Sequence, residues 1–208
     1  MTTSISGTSG VTFPAGGVGN PAGSVVGTTD TQTLTNKTLT SPTMTGAVVS
    51  TMASSVITSG TAVASTSGTS IDFTSIPSWV KRITVMFQGV STNGSSNVQV
   101  QIGAGSVTTT GYLHSFANTS NVIATTNFTT GFGISIGDPA AVRYGIITCA
   151  LLGSNVWICS MVIGRSDAAA GGNGAGYLSL GGTLDRVRIT TVNGTDTFDL
   201  GSINILYE

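Results

Sequence analysis

One histidine, two cysteines and eight scattered carboxylates are the groups this 208-residue chain offers to chemistry. His114 has no second histidine and no cysteine near it at metal-ligand spacing, so a strand position with a structural role is the expectation. Paired carboxylates can cleave glycosides. Here the acids are Asp30, Asp72, Asp138, Asp167, Asp185, Asp196, Asp199 and Glu208, spread along the whole chain. Asp196 and Asp199 flank a turn, where aspartate ordinarily caps backbone amides. Gly171-Gly172-Asn173-Gly174-Ala175-Gly176 reads as a flexible loop. It is no phosphate cradle, since no lysine follows and no strand–loop–helix unit surrounds it. Arg186 and Arg188 alternate with Val187 and Ile189, which predicts a solvated face paired to Asp185 or to a partner's carboxylates. We therefore expect no enzyme, no metal and no cofactor. Cys149 and Cys159 flank Gly153-Ser154-Asn155. A three-residue loop there sets the two cysteines directly across a hairpin, near enough to touch.

The elements that would position these groups are strands. Ser70 to Thr74 alternates, and Ile76-Pro77-Ser78-Trp79-Val80 is a turn, because proline fixes its own φ and extends the residue before it. Arg82 to Val90 puts Ile83, Val85 and Phe87 on one face. Asn97 to Ile102 puts Val98, Val100 and Ile102 on one face and Gln99 and Gln101 on the other. With the turn at Thr92-Asn93-Gly94-Ser95, these two segments predict a hairpin with a polar outer face. Weaker candidates cover 112–116, 122–128 and 132–136, and Asp138-Pro139 opens a turn. Residues 145–164 run uncharged between Arg143 and Arg165, about the length of a membrane span. The break at 153–155 and the β-branched residues around it predict a buried hairpin instead, without membrane insertion. Leu184 to Thr191 and Ser202 to Tyr207 alternate around a predicted hairpin turn at Asn193-Gly194. Eight to ten strands with turns every 8–12 residues predict an all-β, jelly-roll-like β-sandwich head over residues 69–208.

Composition shifts near residue 68. Asp30 and Lys37 are the only charged residues before it, and Phe13 is the only aromatic. Charged residues make up 7% of the chain, against about 25% in typical domains. A net charge of −1 leaves no basic footprint for nucleic acid. The N-terminus lacks the basic and apolar regions of an export signal. Residues 1–27 read as an attachment segment: Val11, Phe13 and Pro14 form a short strand and turn suited to adding onto another protein's sheet edge. Residues 28–68 read as an extended stalk. Thr33-Leu34-Thr35 returns as Thr38-Leu39-Thr40. Three copies about an axis would bury Leu34, Leu39 and Met44 and leave the threonines wet. Residues 47–66 leave a short helix or a strand open.

Two stretches carry a resemblance. Thr31-Gln32-Thr33-Leu34-Thr35-Asn36-Lys37-Thr38-Leu39-Thr40-Ser41-Pro42 resembles a linker of bacteriophage tail and fibre proteins. Ile71-Asp72-Phe73-Thr74 with Ile76 to Phe87, and Leu184 to Asp199 with Ile203 to Glu208, resemble a module common in phage tail proteins. The resemblance implies a virion structural protein, assembled in the host cytoplasm as a homotrimer and docked through its N-terminus on tail, neck or portal-proximal proteins. The head would meet a host surface glycan or protein, with Tyr112, His114, Phe116 and Tyr177 as candidate contact rings; core or trimer-interface packing is the alternative for each of them. The alternative is a neck, collar or head decoration protein with no receptor. In a reducing cytoplasm Cys149 and Cys159 would be two buried thiols.

Overall fold

The computed structural model describes residues 57–120 and 123–208. The docking candidates Val11, Phe13 and Pro14 and the stalk candidates Leu34, Leu39 and Met44 lie outside the described residues. Within them the chain is all β. The strands are β1 (Thr58–Ser59), β2 (Val63–Ala64), β3 (Ser70–Phe73), β4 (Arg82–Thr92), β5 (Val98–Ala104), β6 (Ser106–Val107) and β7 (Leu113–Thr119). After these come β8 (Ile123–Phe128), β9 (Phe132–Ile134), β10 (Arg143–Gly153), β11 (Val156–Arg165), β12 (Gly171–Ser179), β13 (Arg186–Thr191) and β14 (Phe198–Tyr207). A nine-stranded sheet runs β1-β14-β4-β10-β11-β12-β7-β8, with β2 also on β14. A five-stranded sheet runs β3-β13-β5-β6, with β9 also on β5. One core joins them: Val85, Phe87, Ile147 and Ile163 of the large sheet belong to the same buried cluster as Ile71, Val100, Val187 and Ile189 of the small one. Each such side chain contributes about 1.5–3 kcal/mol by leaving water.

Alternation placed β3, β4, β5, β10, β11, β13 and β14, but not the partners of all of them. β4 and β5 are not a hairpin: β4 pairs with β10 and β14, and β5 with β13, in the other sheet. The link between them crosses the sandwich. Asn193-Gly194 likewise turns the chain from the small sheet into the large one rather than closing a hairpin. The two crossings brace each other. Asn93 Oδ1 accepts from the Thr197 amide at 2.8 Å, and Asp196 accepts from the Ser96 amide at 2.9 Å. The same turn residues serve both connections, so the turn chemistry alone does not distinguish them.

Gln99 and Gln101 are buried rather than solvated, at 2% and 5% exposure. Residues 129–131 cover them: Gln101 Nε2 donates to the Thr130 carbonyl at 2.8 Å, and Thr130 Oγ1 donates to Gln99 Oε1 at 2.9 Å. These bonds are what make amide burial tolerable. The head also begins before residue 69. Thr58 pairs with Tyr207 and Ala64 with Ser202, so residues 57–65 follow the edge of β14. The uncharged Ser/Thr/Gly composition before residue 68 hid this addition to the sheet.

β10 and β11 form the expected hairpin. Its loop has two residues, Ser154 and Asn155, both at positive φ (48° and 61°), the pattern of a type I′ turn. A register shift between Leu151 and Gly153 restores the pairing, and Cys149 stands directly opposite Cys159. The Cα atoms are 4.0 Å apart and the sulfurs are bonded. That corrects the expectation of two thiols: the narrow spacing of this antiparallel position brings the sulfurs together, both of them out of solvent. A covalent link across a ten-residue separation contributes on the order of 2–3 kcal/mol. A thiol reagent added to the unfolded, unreduced protein should therefore titrate no cysteine; two thiols per chain would contradict the bond.

Candidate functional site

β12 is where the sequence reading and the structure differ most. The stretch read as a flexible loop is a strand between β11 and β7. Gly172, Gly174 and Gly176 all face inward, in register with Asn118, Phe116 and His114. A Cβ on Gly172 would lie 2.4 Å from the Phe116 ring, and one on Gly174 would lie 2.8 Å from His114 Nε2. Glycine at every second position is the signal that was available. It marks a strand face occupied by a neighbour's rings.

This packing decides the fate of the candidate contact rings. Tyr112, His114 and Phe116 are buried at 1%, 4% and 0% exposure, so they cannot stack on a ligand at the surface. The Tyr112 hydroxyl donates to the Thr108 carbonyl and accepts from the Ile102 amide, both at 2.9 Å, and burial pushes its pKa up. Its ring meets Phe132 edge to face at 4.9 Å between centroids. His114 lies against Phe128 and Phe132, and neither ring nitrogen has a hydrogen-bond partner among the described residues. Burial pulls its pKa down to about 4. Only Tyr177 keeps an open face, on the outer side of β12.

The outer side of the large sheet is ordered by register into rows. Ala150, Ile158, Tyr177 and Leu113 stand side by side on β10, β11, β12 and β7. Two residues along the strands, Thr148, Ser160, Ala175 and Ser115 form a floor of small side chains. Beyond it stand Ile146 and Val162. A depression of about 430 Å³ opens over the floor beside Val162 and Asn173.

Charge is gathered elsewhere. On the small sheet Arg188 grips Asp72 at 2.7 Å and Arg186 grips Asp185 at 2.7 Å. This meets the expectation for Asp185 and adds Asp72 as the partner of Arg188. At the start of β10, Arg143 is fully buried directly opposite Arg165. Its guanidinium donates to the carbonyls of Ala141 (3.2 Å) and Ile136, and burial draws its pKa down to about 10. Arg165 holds Asp138 at 2.9 Å and also Asp167, whose carboxyl it keeps at about 2. Asp138 sits below the usual carboxylate range, first through the Ala140 amide and then through Arg165. These carboxylates are committed to neighbours that hold the 136–142 link. Among the described residues no cluster of three or more His, Cys, Asp or Glu is placed to hold a metal.

No family model matches the chain, and no curated protein or solved structure is significantly similar to it.

His114 gives the head a pH dependence. The unfolded chain takes up a proton near pH 6.5 and the folded chain only near pH 4. Stability is therefore full above about pH 6.5 and falls as the pH drops towards 4, by up to about 3 kcal/mol. Urea melts at pH 7.0 and 4.5 should show this loss. His114→Leu should flatten the difference between those two pH values, and an unchanged difference would contradict the burial of a neutral imidazole.

Proposed function

We propose that the chain is a bacteriophage virion structural protein: a homotrimeric fibre, docked through its N-terminal segment and carrying a β-sandwich head that meets the host surface. The observation that supports this reading most is residues 31–42, whose Thr-Gln-Thr-Leu-Thr-Asn-Lys-Thr-Leu-Thr-Ser-Pro matches the phage linker nearly residue for residue. The motifs bracketing residues 71–208 lend further support. They form β3, β4, β13 and β14, a group of neighbours spread over both sheets. The scarcity of charge agrees with a chain whose surface is partly covered by other copies or other virion proteins.

A second reading gains from one observation. Burial of Tyr112, His114 and Phe116 takes three of four candidate rings away from a receptor. A neck, collar or head decoration protein needs no such rings. Light scattering on the full-length chain should give the mass of three copies under either reading, and a monomer would contradict the fibre. Adsorption of particles lacking the protein separates the two: loss of host binding favours the fibre, and normal binding favours decoration.

A further inference from the structure

We propose that the outer face of the nine-stranded sheet packs against further copies of this same chain, a surface assignment that rests on the trimeric reading above. Across β10, β11, β12, β7 and β8 this face carries no outward charged side chain; the two on β4 and β14 are Arg82, paired with Glu208, and Asp199, which accepts from the Ser91 hydroxyl. The small sheet of the same chain wears two ion pairs on its outward side. The contrast separates a covered face from a wet one. Val162 is 66% exposed, Leu113 56%, Ile146 48%, and Ile158 and Tyr177 45% each. Register makes them two apolar ridges with a floor of Thr, Ser and Ala between. A contiguous apolar patch of this kind marks an interaction surface.

The occupant follows from charge and area. The five strands β10, β11, β12, β7 and β8, outwardly free of charge, have nothing with which to select a charged partner, and they meet their own copy without repulsion. Beyond the two-residue β1, seven strands lie in line on this sheet. At about 4.8 Å between strands and about seven residues of about 3.3 Å each, they span on the order of 800 Å². A stable specific interface takes about 800 Å² per partner. Copies set with this face towards a common axis would cover it. Tyr177 then packs against a neighbouring copy, and receptor contact, where there is any, falls to other surfaces.

The test uses the full-length chain. Val162→Lys and Ile158→Lys place a charge on each ridge at positions already exposed, so the monomer fold is kept; far-UV circular dichroism verifies that. Wild type should scatter as three copies, and Ala175→Cys on the floor should link those copies through a short bismaleimide on a denaturing gel. Adding either lysine should abolish that link even where residues 28–68 still hold three copies together; a link of undiminished yield in a folded lysine variant would overturn the face while leaving the trimer standing. A monomeric wild type would remove both. Should a lysine variant fail to fold, Ala175→Cys alone decides the matter. Its thiol is the only free one, and exclusively single chains on that gel would overturn the proposal.

Discussion

Gly172, Gly174 and Gly176 line the inward face of one central strand, and the large sheet depends on the absence of side chains there. Their place is taken by Phe116 and His114 from β7, whose rings reach to within 2.4–2.8 Å of where a Cβ would stand. Without that gap β7 could not lie against β12, and β8 beyond it would lose its neighbour. The ring group of His114, Phe128, Phe132 and Tyr112 ties β7 and β8 to β9 of the small sheet. The cost is an imidazole held without a partner for either nitrogen among the described residues. Such a group is tolerable only while it is neutral.

The opposite side of that sheet follows a different rule. Inward positions of β10 and β11 carry Ile147, Cys149, Trp157, Cys159, Met161 and Ile163, all buried. Outward positions carry Ile146, Ile158 and Val162, which are exposed. A hairpin apolar on both faces is what buried strands look like. Here one face meets the small sheet, and the other is open, the surface proposed above to take further copies of the chain. The charged groups meanwhile serve the fold. Arg143, Arg165, Asp138 and Asp167 fix the link before β10, and Asp196 and Asp199 tie the final crossing to Ser96 and Ser91.

Strand positions were legible because alternation is local. Ile83, Val85 and Phe87, or Val187 and Ile189, declare a buried face without knowledge of the partner. The cross-strand placing of Cys149 and Cys159 was legible for the same reason, since a hairpin is a local object. Sheet membership was not, because Asn93-Gly94 and Asn193-Gly194 look alike whether the chain returns or crosses. The bond between the cysteines was masked by an argument about compartment rather than geometry. Three of the four candidate contact rings were misplaced because aromatic residues near turns look exposed until their strand is known to face glycines.

Residues 171–176 form a strand whose bare inward face receives the rings of β7. Amide hydrogen exchange measures this most directly. Flanked by β11 and β7, the amides of 172–177 should exchange as slowly as those of 157–162 in the neighbouring strand. Exchange at the rate of an open loop would contradict the account, and with it the burial of His114 and Phe116.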